Sequence, residues 1–227
     1  MKKENNFVAI ILARGGSKGI KQKNLIKVNK KPLIFWTLKH CLSSKKISSI
    51  WVSSDSDKIL NYSCKIGAKT IKRPKTFSKD NSTSEIAWLH AIRCIQKKGI
   101  QINNVIALQP TSPIRFKKDL DKATNLFVKE KYDSLFTGQK IHDFFTWQKT
   151  KNKLVPNYSY RLRPRRQKIK GKYMENGSFY IFNKNRFMKS KNRLFGKIGI
   201  YEMSKICSFQ IDDLIDIKII NSLKQYF

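Results

Sequence analysis

Residues 7–13 form an unbroken apolar run (FVAIILA) that passes directly into Arg14-Gly15-Gly16-Ser17-Lys18-Gly19. An apolar run of this length, bounded by a glycine-rich polar loop, is the pattern of a strand buried on both faces. Such strands belong to parallel sheets covered by helices. The run stops too soon for a secretory leader, and the loop stands where a cleavage site would have to be. No other stretch approaches the ~20 apolar residues of a membrane-spanning helix, so no membrane association is expected.

Short apolar runs then alternate with helical patterns, the signature of repeated βαβ units. Strands are expected at residues 47–53, 68–71, 104–108 and 132–137, and helices from Pro32 to about Cys41, at 56–66, at 83–97 and at 117–129. In the helix at 83–97 the core-facing positions read as Ile86, Leu89, His90 and residues 92–95. From about residue 141 the pattern weakens and basic residues multiply. Strand-like segments return at 178–182 and 198–203, and a helix at 213–223 closes the chain. The expectation is one α/β domain over residues 1–227, with a projecting arm at about 141–172.

The chain has 227 residues and 40% hydrophobic residues, enough for a substantial core. Its four cysteines, Cys41, Cys64, Cys94 and Cys207, are widely spaced with no Cys-x-x-Cys pair. They read as reduced side chains packed as small hydrophobes in a cytoplasmic protein. Lys+Arg outnumber Asp+Glu by 48 to 15, a net charge of +33. The excess is mostly lysine, spread along the chain and accompanied by many Ile and Asn, as AT-rich coding sequence would produce. Specific nucleic-acid binding is therefore not expected, while attraction for anionic substrates is.

A glycine-rich loop after a buried strand can wrap backbone N–H groups around phosphate oxygens, with Arg14, Lys18 and Lys23 supplying cations. The spacing is neither that of a Walker A loop nor that of a dinucleotide fingerprint. On the residues alone it is either a phosphate cradle or a surface turn beside a strand.

The run LARGGSKGIKQKNL resembles the signature of the acylneuraminate cytidylyltransferases, the CMP-sialic acid synthetase family. Four further segments agree in order. They are Arg73-Pro74 with Asp80, Ser82, Thr83 and Ser84; the LQPTSPIR stretch at 108–115; Arg166-Gln167 followed by Glu175-Asn176-Gly177 and Tyr180; and Ile211-Asp212 with Asp216. The resemblance implies a three-layer α/β/α Rossmann-like fold of the nucleotide-diphospho-sugar transferase type with a mostly parallel sheet. It implies transfer of CMP from CTP to the anomeric hydroxyl of a nonulosonic, sialic-type acid, with release of pyrophosphate.

By the same resemblance Arg14, Gly15, Gly16, Ser17 and Asn24 would hold the nucleotide, with Ser82, Thr83 and Ser84 contributing. Arg14, Lys18 and Lys23 would neutralise charge developing on the phosphates. Gln109, Arg166, Gln167 and Asn176 would hold the sugar acid, Arg166 through a forked pairing with its carboxylate. As one of the basic residues in 161–172, Arg166 can equally be a solvated surface group.

Asp212 would bind Mg²⁺ (or Mn²⁺), with Gln210 and Asp216 as uncertain additions. Where the family places a first aspartate, this chain has Gln210. Asp216 is alternatively the N-terminal anion of the last helix. Residues 168–172 also depart from the family pattern. The arm, with His142 and Trp147, implies a homodimer; Trp147 is alternatively a packed arm residue.

Rival readings keep the chemistry but change the acid to legionaminic, pseudaminic or 3-deoxy-octulosonic acid, or make the chain a catalytically silent basic relative that binds nucleic acid. A transferase for a neutral sugar phosphate fits Gln109 and Arg166 less well.

Overall fold

In the computed structural model, which describes residues 6–17, 19–141, 145–163, 165 and 171–227, strand β1 (Phe7–Leu12) lies inside a seven-stranded sheet between β4 (Ile47–Ser54) and β6 (Asn104–Leu108). All three run parallel. Beyond β4, β5 (Lys69–Lys72) continues the parallel set. Beyond β6 comes β10 (Lys172–Asn183), antiparallel to both β6 and β7 (Ser134–Ile141), and β11 (Ile198–Glu202) pairs in parallel with β7 at the edge. The order is therefore β11-β7-β10-β6-β1-β4-β5. The mostly parallel α/β expectation holds, with β10 as the one strand that reverses.

Alternation along β1 divides the core into two layers. Phe7, Ala9 and Ile11 join Ile34 and Leu38 of α1 (Leu33–Ser43), Ile59 of α2 (Asp57–Lys65) and Leu120 and Phe127 of α4 (Asp119–Lys129). Val8 and Ile10 join α3 (Ser84–Lys97) and Phe187 of α5 (Lys184–Ser190) on the opposite face. Burial on both faces is why β1 reads as continuous apolar sequence and not as an alternating strand.

The rotation of α3 differs from the sequence expectation. Its buried stripe is Ala87, Trp88, Ala91, Ile92 and Ile95, whereas Ile86 is 42% exposed. The Trp88 indole sets this rotation by packing edge-on against Tyr180 and Phe182 of β10. Among the cysteines Cys41 and Cys207 are buried as expected, but Cys64 is exposed on the surface of α2.

The arm contains a short hairpin, β8 (Trp147–Lys149) with β9 (Leu154–Pro156). Phe145, Trp147, Tyr158 and Tyr160 touch one another around it. His142 lies outside the described residues. A second two-stranded piece, β2 (Lys27–Val28) with β3 (Lys31–Pro32), leads into α1, with Pro32 at its N-cap. The final helix is α6 (Leu214–Ser222). Among the described residues no helix is long and apolar enough to cross a membrane.

Candidate functional site

From β1 the chain moves outward to β4 and β5, then crosses back to β6 on the other side of β1. The loops leaving β1 and β6 therefore diverge, and an open α/β sheet has its ligand crevice at such a point. A cleft of about 360 Å³ occupies this position. Arg14, Ser17, Lys23, Asn24, Ser82, Thr83, Ser84, Gln109, Gln210 and Asp212, all singled out from sequence, line it together. Four cations, Arg14, Lys23, Arg73 and Lys79, face two carboxylates, Asp80 and Asp212, along its wall.

A small separate core positions the loop that follows β1. Ile20, at the loop's end, packs with Val28, Leu33, Trp36, Ile211 and Ile220. One apolar cluster thus seats both the glycine-rich loop and the segment that carries Asp212. The loop and that segment touch directly, for a Cβ at Gly19 would lie 2.6 Å from the Asp212 carbonyl oxygen. Gly15 is equally constrained, since a Cβ there would meet the Ser56 Cβ at 2.8 Å. Asn24 Nδ2 donates to the Arg14 carbonyl at 2.9 Å and clamps the loop across its base. Arg14 itself pairs with Asp80 at 2.8 Å.

The expectation that adjacent glycine amides all serve phosphate needs one correction. The Gly15 N–H donates to Asp55 Oδ1 at 2.8 Å, so it is already engaged. Gly16 is exposed, and it borders a smaller adjoining hollow with Ser17 and Lys79. Thr83 is the N-cap of α3 and accepts from Ile86 N, while Ser82 Oγ donates to the Thr76 carbonyl. The serine–threonine segment thus starts a helix at the cleft's edge, where unpaired N–H groups favour an anion.

Two further sequence expectations are redirected. Asn176 does not offer its side chain to the cleft. It is 1% exposed, its Oδ1 accepts from Thr137 Oγ1 and Ser178 N, and its Nδ2 points to the Met203 sulfur. It braces the turn at Gly177, which adopts φ +62°. Asp216 serves as a cap. Its Oδ2 accepts from the N–H groups of Asp212 and Asp213, and Asp213 Oδ1 accepts from Ile215 N and Asp216 N, a reciprocal capping box at the start of α6.

Asp212 is held from below by that cap while its side chain remains 73% exposed. Gln210 Nε2 donates to the Asn176 carbonyl at 2.7 Å. A carboxylate at position 210 could not make that donation. Lys18, Arg166 and Gln167 lie outside the described residues. Among the described residues there is no group of three or more His, Cys, Asp or Glu side chains poised for a metal.

Arg73 is the main residue for which the sequence reading assigned no role. It lines the cleft at 4% exposure, yet its Nε and Nη2 are buried with no hydrogen-bond partner. Burial lowers its pKa; Asp55 opposes that shift and Arg14 adds to it. Unmatched buried donors on a cation are costly in a protein interior and call for an acceptor. The available signal was the Arg73-Pro74 pair itself, at the end of β5.

A sheet of this order with a cation-lined crevice at its switch point defines an open α/β protein with a site suited to anions. The chain belongs to the cytidylyltransferase family, whose profile matches residues 8–226. It is 36% identical over 220 residues to an N-acylneuraminate cytidylyltransferase A of Danio rerio, covering 95% of this chain and 50% of that protein. It is 30% identical over 178 residues to a pseudaminic acid cytidylyltransferase of Campylobacter jejuni, covering 77% of each. Among solved structures it shares the fold of a CMP:2-keto-3-deoxy-manno-octonic acid synthetase complexed with CTP. The TM-score is 0.71 at 14% identity, over 97% of this chain and 98% of that one. The chain thus spans about half the length of the first of these relatives.

Proposed function

We propose that this protein transfers the CMP group of CTP to the anomeric hydroxyl of a nonulosonic acid of the sialic type. The hydroxyl oxygen attacks the α-phosphorus, and the bond to the bridging oxygen breaks to release pyrophosphate. The observation that carries the proposal is the cleft at the switch point, lined by Arg14, Lys23, Gln109 and Arg73, with two buried Arg73 donors unmatched. The cytidylyltransferase activities of the relatives support it.

In this reading Arg14, Ser17, Asn24 and Arg73 receive the nucleotide, and Lys23 offsets charge that builds on the phosphates. Lys18 would join them, and Arg166 and Gln167 would approach the sugar acid beside Gln109. The start of α3, with Ser82, Thr83 and Ser84, closes the nucleotide end. Asn176 acts through the Gly177 turn and does not touch substrate.

The donor chemistry fits Mg²⁺ (or Mn²⁺) held by the single Asp212 carboxylate together with nucleotide phosphate oxygens and water, since magnesium keeps several waters and needs only one or two protein carboxylates. When bound, the ion would supply charge neutralisation at the transferring phosphoryl group. Exposed apolar residues on the arm, among them Trp147, Leu154 and Leu162, support a homodimer.

The relative named for pseudaminic acid favours one second reading, the same transfer with that acid as acceptor. Both are tested by pyrophosphate release from CTP and Mg²⁺, with N-acetylneuraminic, legionaminic, pseudaminic and 3-deoxy-octulosonic acids offered separately. Release with one acid and none with ATP or GTP identifies reaction and acceptor. Silence with all four, together with tight salt-sensitive DNA binding, would replace the proposal with the nucleic-acid reading.

A further inference from the structure

We propose that Arg115 is a positioning residue for the sugar-acid side of the cleft, a buried strut that fixes the turn presenting Gln109. The proposal deepens the functional reading above and rests on its assignment of Gln109 to the sugar acid.

The turn after β6 runs through Gln109, Pro110 and Thr111, all of which line the cleft. A turn at a strand end is ordinarily free to shift, because its carbonyls lack ladder partners. Here Arg115 folds back beneath it. Its Nη2 donates to the Gln109 carbonyl at 3.0 Å and to the Ser178 carbonyl at 2.8 Å, and its Nη1 donates to Thr37 Oγ1 at 3.0 Å. One guanidinium thereby ties the turn to β10 on one side and α1 on the other.

The Gln109 N–H also donates to the Ser178 carbonyl, at 3.4 Å. Gln109 is thus held by both its N–H and its carbonyl while its side chain faces the cleft. Thr111 extends the attachment, since its carbonyl accepts from Ile211 N at 2.9 Å, next to Asp212.

The side chain is too deep to act on substrate itself. Arg115 is 1% exposed and is absent from the residues that line the cleft. Burial pulls its pKa down to about 10, with nearby Asp119 among the groups opposing that shift, so the cation persists at neutral pH. A planar fork with donors on two edges suits three acceptors in different directions, and lysine cannot reproduce it.

The test compares wild type with Arg115→Lys, which keeps the charge, and with Thr37→Val, which removes one acceptor at nearly constant volume. Hydrogen exchange reads the strut without any substrate. The Gln109 amide should exchange roughly tenfold faster or more in Arg115→Lys while amides of β1 and β4 keep wild-type protection. In steady-state assays the sugar-acid KM should rise roughly tenfold while the CTP KM stays within about twofold. Thr37→Val should move the same quantities in the same direction by less, and it serves alone if Arg115→Lys does not fold.

Wild-type protection at Gln109, or acceleration spread evenly over the sheet, would overturn the proposal. So would equal rises in both KM values. Absence of turnover in wild type with every acid would instead fail the functional reading, and the exchange data would still decide whether Arg115 holds the turn.

Discussion

Lys23 Nζ donates both to the Ile211 carbonyl at 2.9 Å and to Asp212 Oδ1 at 3.1 Å, from a lysine side chain only 11% exposed. The principal cation and the principal carboxylate of the cleft are therefore seated together before any ligand enters. The two residues differ in what their loss should do. Asp212 is solvent-facing and asparagine keeps an oxygen to which Lys23 can donate, so Asp212→Asn should lower the unfolding free energy by no more than about 1 kcal/mol. Pyrophosphate release should nevertheless fall by a factor on the order of 10² or more. Undiminished turnover would remove Asp212 from the metal assignment.

Arg73 gives an opposite pattern of stability and binding. Its buried nitrogens lack partners, and removing an uncompensated buried cation relieves a desolvation penalty. Arg73→Met is expected to fold with unchanged or higher thermal stability. Its affinity for CTP, measured by calorimetry, should drop roughly 10- to 100-fold, the range of one or two hydrogen bonds to a charged group. A destabilised protein that binds CTP normally would make Arg73 a structural residue.

Acid stability should be governed in part by His40. Burial, then the nearby charges of Arg115 and Lys39, lower its pKa from 6.5 to about 3, with a hydrogen bond to Pro113 opposing. A depressed histidine is neutral in the folded state and takes up its proton on unfolding. Its contribution is intact above pH about 6.5 and is lost as pH falls toward 3, at up to about 1.4 kcal/mol per pH unit. Urea midpoints measured across that window should therefore decline, and His40→Gln should flatten the decline. Identical slopes would exclude this histidine as a source.

The arm offers a test of assembly. Trp147 is 47% exposed at the edge of its aromatic group, and exposed apolar patches of this kind mark association surfaces. Sedimentation should give about twice the 26.6 kDa chain mass for wild type. Trp147→Lys combined with Leu162→Lys should shift the distribution toward the monomer at micromolar concentration. A monomeric wild type would end the dimer proposal.

How much of this was readable in advance depended on whether the deciding contacts were local. Strand β1 was legible because burial on both faces leaves no polar position in the run, and the loop after it was legible because glycines mark close approach. The rotation of α3 was not, since Ile86 and Trp88 are both apolar and only the rings of Tyr180 and Phe182, about 90 residues away, decide between them.

Within the site, the family resemblance turned Asn176 toward the sugar acid. The Asn176 side chain is instead withdrawn by Thr137 and Met203 from separate segments. Asp216 could be read as cap or ligand, and only the short bonds to the Asp212 and Asp213 amides reveal the cap. Arg73 was hidden by composition, because one arginine among 48 basic residues gives no sign that it lies buried at the cleft with two donors unmatched.

Strand β10 has a mechanical consequence. Its first residues pair with the outer end of β7, from Lys172 opposite Ile141 to Glu175 opposite Gly138, and its last lie against β6 in the interior, from Phe179 to Asn183. The outer end of β7 and the cleft floor are thus bridged by one strand, which carries an irregularity between Glu175 and Tyr180. A displacement of the first residues of β10 is therefore carried toward the middle of the same strand. That middle holds Asn176, Gly177 and Ser178, the residues on which Gln210 and Arg115 are anchored, so the start of β10 and the cleft wall share one backbone.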